Sequence, residues 1–337
     1  MNCHQSATPQ HHSTKARSHE STKTPSREST GLLVALVGPT ASGKSTLAVR
    51  AAQALDGEVV NCDSVQVYRS LDVGTAKPTE EQRRQVPHHL YDIIDPDQYF
   101  SAGRYMVEAR KVCREIAQPG QIPFVVGGSG LYLRALLEGV FEGPARSEEI
   151  RERLRKIGCR KGLDYLHRLL KKKDPQAALR VQPGDRIRIV RALEIYFLTG
   201  KPISELQPRR EPLKDLSILK IGLNLPRSIL YDRINRRVSQ MFRSGLIEEV
   251  NQLLDRGYSP DCKGFEALGY RHAISLLGGN LSREEAIKLT QRDTRRYAKR
   301  QMTWFRREED IHWLLGPGEA PETLEHLLQL VEEHRPG

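Results

Sequence analysis

The stretch from Leu32 to Leu55 constrains this chain more than any other part of it. Leu32, Leu33, Val34, Ala35, Leu36 and Val37 form a continuous apolar run of the kind buried on both faces of a parallel sheet. Gly38, Pro39, Thr40, Ala41, Ser42, Gly43, Lys44 and Ser45 follow as a complete G-x-x-x-x-G-K-S, and TLAVRAAQAL after them reads as helix. This order of strand, glycine-rich loop and helix is the context in which the motif holds a phosphate. The glycines let backbone N–H groups face the anion, Lys44 sets a point charge on a diphosphate, and Ser45 can ligate magnesium. The loop's chemistry therefore specifies a diphosphate with Mg2+ but not the group esterified to it. A nucleotide such as ATP is the default, not a deduction.

A second strand, ending near Asn61 and Cys62, leads into Asp63, Ser64, Val65, Gln66, Val67 and Tyr68. Ligands of an open α/β sheet bind at the carboxyl ends of the strands, which puts Asp63 beside the phosphate loop. It could hold magnesium, act as a general base, or cap the helix that follows. Gly74, Thr75, Ala76, Lys77 and Pro78 make a polar turn that is either an ordinary loop or a phosphate or RNA contact. A further buried strand, 122–126, runs into Gly127, Gly128, Ser129 and Gly130 and then the helical LYLRALLEG. A P-loop ATPase or kinase often carries an acid at such a strand end. Here two glycines stand instead, which reads as a channel wall that a bulky ligand approaches closely.

With 337 residues, the chain can hold two domains or one large domain with an insertion. Hydrophobic residues are 38% and charged residues 28%, and no uninterrupted apolar run reaches the length of about 18 that a spanning helix needs. Lys plus Arg exceed Asp plus Glu by 53 to 42, a net charge of +11, which favours a polyanionic partner. The five cysteines are Cys3, Cys62, Cys113, Cys159 and Cys262, with no pair at zinc-ribbon or redox spacing, and this usage fits the reducing cytoplasm. Residues 1–30 are rich in Ser and Thr and lack branched aliphatic and aromatic residues, so a disordered leader is expected. It has no apolar core of a secretory signal; its Ser and Arg content leaves a transit peptide as the alternative, and His11 and His12 read as part of a solvated tail.

Nine short motifs in order, GPTASGKS, DSVQVY, GTAKP, VPHHLYDIIDP, VVGGSGLYL, RIVRALEIY, YDRINRRVSQM, GYR and TRRYAKRQMTWFR, resemble the tRNA dimethylallyltransferase family over about residues 32–315. That family prenylates the N6 amine of adenosine 37, next to the anticodon. The family usually has GGTGLY where this chain carries Ser129, a change that keeps a hydroxyl. Eukaryotic members often add a C-terminal zinc finger; none is found here, which fits a bacterial-type enzyme. The resemblance implies an α/β fold: a P-loop kinase-like parallel sheet core, 31–140 plus 220–316, with an inserted helical domain at 141–219 that grips the anticodon stem-loop. Residues 317–337 then form a C-terminal tail. It further implies dimethylallyl diphosphate as donor, no membrane partner, and action as a monomer.

Carried onto this sequence, the resemblance makes Asp63 the acceptor of the N6 proton and sets Lys44, the P-loop amides and Arg237 on the departing diphosphate. Mg2+ at Ser45 and the Thr40 hydroxyl join them, and Arg233 is the next candidate. Asp63, Ser64, Val65 and Gln66 would read the flipped adenine. Ser129, Arg151, Ile187, Arg188, Ile189, Val190, Arg191, Gly269, Tyr270 and Arg271 match positions where the family touches tRNA. On the residues alone, 228–242 is an amphipathic helix that turns Leu230, Ile234, Val238 and Met241 inward. Lys288, Arg292, Arg295, Arg296, Lys299 and Arg300 share much of one helix face, with Trp304 and Phe305 behind them as core anchors. Arg151, Arg153, Arg155, Lys156, Arg160, Lys161, Arg168, Lys171, Lys172 and Lys173 make a second basic run, read as RNA contact against the alternative of a solvated face. A small-molecule kinase and a non-catalytic P-loop RNA-binding protein are the competing classes; ATP turnover would identify the first, and a mass gain on tRNA would exclude the second.

Overall fold

A computed structural model describes residues 31–118, 120–141, 143–206 and 211–335; the expected leader and its His11 and His12 lie outside them. Six strands form one parallel sheet: β1 (Leu32–Val37), β2 (Gly57–Asn61), β3 (His88–His89), β4 (Ile122–Gly127), β5 (Ser217–Asn224) and β6 (Ile311–Leu315). Their spatial order is β3-β2-β4-β1-β5-β6. The most apolar strand, β1, lies between β4 and β5, and all six of its residues are buried. Both faces of a central parallel strand are covered by crossover helices, which is why β1 reads as an unbroken apolar run.

From β1 the chain crosses to β2 on one side through α1 (Lys44–Leu55). It passes through the short α2 (Glu80–Gln85) to β3 at the sheet edge, and returns from β3 to β4 in the opposite direction through α3 (Ala102–Ala117). Right-handed crossovers running in opposite directions put α1 and α3 on opposite faces of the sheet. The order reverses at β1, so the loop after β1 opens into the crevice where such sheets bind ligands. Helix α4 (Gly130–Glu138) follows β4, and α10 (Arg227–Arg243), α11 (Leu246–Asp255), α12 (Leu268–Leu277) and α13 (Arg283–Phe305) lead from β5 to β6. No helix among the described residues is long and apolar enough to cross a membrane.

Helices α5 (Glu148–Lys161), α6 (Leu163–Lys173), α7 (Pro175–Arg180), α8 (Arg186–Thr199) and α9 (Ile203–Leu206) have an apolar cluster of their own, centred on Leu154, Leu166, Leu170, Ile189 and Leu193. This helical unit is narrower than the expected 141–219. Leu213 and Leu216 pack back into the main core, the Leu213 amide donates to Leu137 at 2.8 Å, and β5 has begun by Ser217. The expected tail is likewise structured in part: α14 (Pro321–Glu333) buries Leu327 and Val331 against the main core and packs on α1.

Candidate active site

The phosphate loop bends sharply between β1 and α1. Gly38 and Gly43 have φ of 147° and 95°, and Ala41 is held at 64°, a left-handed conformation that costs a residue with a Cβ. At Gly38 a Cβ would also stand 3.1 Å from the Leu223 carbonyl oxygen of β5. Lys44 Nζ reaches back over the loop and donates to the Pro39 carbonyl at 2.7 Å. Burial, reinforced by the Arg237 guanidinium and opposed by Asp63, pulls its pKa down from 10.5 to about 7. Ser42 Oγ is buried without a hydrogen-bond partner, and Ser45 at the start of α1 is exposed.

A cavity of about 980 Å³ opens from this loop along the carboxyl ends of the strands. It is lined by Thr40 to Thr46, Asp63 to Gln66, Gly74 to Lys77, Tyr91, Arg233, Arg237 and residues of α13, among others. Asp63 stands where the strand-end argument puts it. Asn61, the last residue of β2, accepts from the Asp63 amide through Oδ1 at 2.9 Å. Asp63 Oδ1 in turn accepts from the Val65 amide at 2.9 Å. No helix follows directly, so the carboxylate caps a turn and not a helix, and it faces the same cavity as Lys44 and Arg237. Arg237 projects from α10 and donates to the Thr75 carbonyl at 3.4 Å. Burial pushes its pKa down, while Asp63 pushes it up. Arg233, one turn earlier, donates through Nε to the Ala41 carbonyl at 2.7 Å.

Ser129 supports the site from behind: its Oγ accepts from the Ser64 amide at 3.0 Å, tying the end of β4 to the Asp63 turn. Gln66 spends its amide on the Thr75 and Ala76 carbonyls at 3.0 and 3.2 Å, so it braces the 74–77 turn. Lys77, expected as either a loop residue or a phosphate contact, is a buried strut that donates to the Tyr68 carbonyl and pairs with Asp72 and Asp92. Gly127 and Gly128 line the cavity, but their need to be glycine comes from the chain itself. A Cβ on Gly127 would lie 1.9 Å from the Cys62 carbonyl oxygen, and one on Gly128 would lie 1.9 Å from Gln301 Nε2.

Several expected tRNA contacts lie elsewhere. Gly269 and Arg271 line the cavity, whereas Tyr270 between them is fully buried and donates its hydroxyl to Glu249. Ile189 and Val190 are in the core of the helical unit, which removes them from any surface contact, while Ile187 is 79% exposed and Arg188 is exposed beside Asp185. Arg151 is committed internally, with Nε and Nη2 on the two oxygens of the buried Glu194 at 2.8 and 2.9 Å. Arg191 adds a bond to Glu194 Oε2 at 2.8 Å and one to the Pro144 carbonyl at 3.0 Å. Burial pushes the Glu194 carboxyl up, and these hydrogen bonds outweigh it and hold it below its usual range. On α10, Leu230, Ile234 and Val238 are buried as expected, Phe242 joins them, and Met241 packs partly buried against the same core where it meets the cavity. Phe305 is fully buried, and Trp304 packs beneath the Arg134 guanidinium, 4.6 Å from the ring centre.

The residues that sequence reasoning missed sit mainly on α13. Thr290, Thr294, Tyr297 and Gln301 recur at helical spacing and line the cavity, an uncharged polar stripe beside the basic one. Gln301 joins two walls of the site, accepting from the Thr40 amide at 2.9 Å and donating to the Gly128 carbonyl at 3.0 Å. Tyr91 and Tyr297 are half-buried near Asp63, and desolvation raises both phenols. For a divalent cation, the Ser45 hydroxyl and the Asp63 carboxylate on one cavity are the hard oxygen donors that magnesium takes, with substrate oxygens and water completing the shell. The described residues hold no cluster of three or more His, Cys, Asp and Glu.

The profile described as IPP transferase matches residues 66–308, and that described as isopentenyl transferase matches residues 32–91. A tRNA dimethylallyltransferase of Koribacter versatilis is 49% identical over 302 residues, covering 89% of this chain and 98% of that protein. One from Geobacter sulfurreducens is 50% identical over 286 residues, 85% of this chain and 92% of its own length. Among solved structures, the tRNA isopentenylpyrophosphate transferase of Bacillus halodurans superposes with a TM-score of 0.66 at 41% identity, covering 90% of this chain and 96% of that one. A eukaryotic dimethylallyltransferase described as acting on tRNA does so with a TM-score of 0.72 at 28% identity, covering 85% and 74%. A chain whose P-loop opens into a strand-end cavity shared by Asp63, Lys44, Arg233 and Arg237, and which is matched at this identity over nearly its whole described length, belongs to the IPP transferase family, the tRNA dimethylallyltransferases.

Proposed function

We propose that this chain transfers a dimethylallyl group from dimethylallyl diphosphate to the N6 amine of adenosine 37 in tRNA, giving N6-(dimethylallyl)adenosine and releasing diphosphate. The observation that carries this reading is the single cavity in which Asp63 faces the cradle of Lys44, Arg233 and Arg237. A phosphoryl-transfer site needs its chemistry at the phosphorus; here Asp63 shares the cavity with the cradle, near enough to act on the Lys44 and Arg237 charges, and can serve an acceptor brought to an organic substituent of the diphosphate.

In this reading the adenine N6 lone pair attacks the allylic carbon, a C–N bond forms as the C–O bond to diphosphate breaks, and the N6 proton passes to Asp63. The amine is weakly nucleophilic because its lone pair is delocalised into the ring, so base help is worth on the order of 10² to 10⁴ in rate. Charge then develops on the diphosphate, where Lys44, Arg237 and the loop amides oppose it, with the Thr40 hydroxyl as a further donor. Bound magnesium at Ser45 would neutralise part of the same charge. The target base must leave the anticodon-loop stack to enter, and Asp63 to Gln66 line its path.

The test incubates the protein with unmodified tRNA, Mg2+ and dimethylallyl diphosphate, and reads the mass of the digested nucleosides. An isopentenyl-sized gain on adenosine without ATP consumption is expected. Stoichiometric ATP hydrolysis during modification would sink the reading in favour of a kinase-like chemistry.

A further inference from the structure

The loop between β6 and α14 closes over the outer side of the phosphate cradle. The Gly318 amide donates to the Ser42 carbonyl at 3.0 Å, and Arg50 of α1 donates to the Glu319 carbonyl at 3.0 Å. The Glu319 side chain turns inward: its Oε1 pairs with Arg233 at 2.5 Å, and its Oε2 lies so close to Gly43 that a Cβ there would stand 2.6 Å from it. Gly43 is the residue whose backbone the motif offers to an anion. A carboxylate of this chain therefore stands against the loop built for a diphosphate and occupies one of its cations, on a cavity that Glu319 itself helps to line.

We infer that Glu319 is an acidic latch on the diphosphate cradle, a positioning residue that pairs with Arg233 and competes with bound diphosphate for it, hastening release of the product. The inference rests on the reading of this cavity as a diphosphate site. Two features beyond proximity support competition over support. Arg233 keeps its hold on the Ala41 carbonyl through Nε, so the Nη2 arm that Glu319 takes can change partner while the guanidinium stays in place. The Glu319 carboxylate is also 42% exposed, so it can swing out to water without leaving a buried charge behind. Its main chain stays anchored by Gly318 and Arg50 meanwhile.

Competition and support predict opposite signs. If Glu319 only braced the loop, its removal would weaken diphosphate binding; if it competes, removal tightens binding. The experiment titrates inorganic diphosphate with Mg2+ into the full chain by calorimetry for the wild type, Glu319→Ala, Glu319→Gln and Arg233→Ala, and for Arg233→Ala combined with Glu319→Ala. Glu319→Ala and Glu319→Gln should lower the Kd by about three- to tenfold, the range of a partly exposed ion pair. The Gln variant keeps the side chain's size, so it gives the charge effect even if the Ala variant loosens the loop. On the Arg233→Ala background the Glu319 effect should shrink to less than about half, because most of the competition is for that guanidinium. In turnover, the same variants should show stronger product inhibition by diphosphate. Unchanged or weaker diphosphate binding in both Glu319 variants overturns the latch, and so does a wild type that binds no diphosphate at all. Failure of prenyl transfer to tRNA, with the binding pattern intact, overturns the proposed function and leaves the latch standing.

Discussion

Lys44 offers the sharpest quantitative test of the phosphate site. With a pKa of about 7 in the diphosphate-free protein, it is about half charged at neutral pH, and an anion beside it favours the full charge. Burial is the main cause and the neighbouring Arg237 the second; Asp63 and, weakly, Cys62 act the other way. A diphosphate beside Nζ favours the charged form, so the bound state holds a proton that the free state has largely lost at pH 8. Affinity must then fall as pH rises through the free-state value. A group with a pKa near 7 is about nine-tenths neutral at pH 8, so the Kd of the charged-lysine complex should rise about fivefold from pH 7 to 8 and approach tenfold per unit above that. The dependence should end where the bound-state pKa is reached.

The assay is calorimetric titration of inorganic diphosphate with Mg2+ at a series of pH values in buffers of different ionisation enthalpy, which reads net proton uptake directly. The ligand titrates in the same range, so the comparison is with Lys44→Arg, whose guanidinium stays charged. The difference between the two proteins isolates Lys44 and should be close to one proton at pH 8. Equal proton uptake by wild type and Lys44→Arg would refute the argument, because it would mean that Lys44 is already charged in the diphosphate-free protein.

Asp63→Ala should lower kcat by roughly 10² or more while tRNA affinity stays within a few-fold, since a base acts chiefly in the transition state; a near-normal kcat would leave Asp63 as a turn cap. Arg295→Ala should shallow the slope of log K for tRNA against log salt by about 0.7 to 0.9, the share of one phosphate contact, whereas Arg151→Ala should leave the slope unchanged. Arg151→Ala should instead destabilise the helical unit by about 2 kcal/mol or more, measured by chemical denaturation, because it strips the buried Glu194 of a two-bond partner. Gly128→Ala forces Gln301 away from a contact of 1.9 Å and should cost about 1 to 3 kcal/mol in stability together with a raised KM for the prenyl donor; a silent substitution would show that the Gln301 bridge is dispensable.

Legibility in the sequence followed the range of the interactions concerned. The P-loop and its flanking strand and helix were readable because the whole motif and both of its flanking elements lie within Leu32 to Leu55, and Asp63 because strand-end position is a property of one strand. The packing of Gly127 and Gly128 was not, since what crowds them is the end of β2 and a glutamine far along the chain on α13. The α13 stripe of Thr290, Thr294, Tyr297 and Gln301 has a clear period, but the cations beside it carry a stronger compositional signal. Glu319 had no signal at all: its role depends on the β6–α14 loop folding back past β5 onto residues 42–43, which lie far away in the chain. The same reason narrowed the helical unit, because an apolar Leu213 or Leu216 does not declare which of two cores it joins.

The basic surface is likewise less uniform than a net charge of +11 suggests. A cation paired with a carboxylate presents little net field to a polyanion, while one held by a neutral group presents all of it, already positioned. Arg151 and Arg191 share Glu194, Arg155 lies between Glu148 and Glu152, and Arg292 and Arg296 flank Asp293, so these five spend part of their charge within the chain. Arg295 instead bonds the neutral Asn235 Oδ1 at 2.6 Å and lies 5.9 Å from the Tyr231 ring centre, and Lys161 and Lys173 sit over Tyr165 and Tyr196. Aromatic and amide partners fix the side chain, reduce the entropy lost on contact, and leave the charge unspent. We therefore expect phosphate contacts at the cations that lack an acidic neighbour, and a footprint counted from Lys and Arg alone would overstate their number.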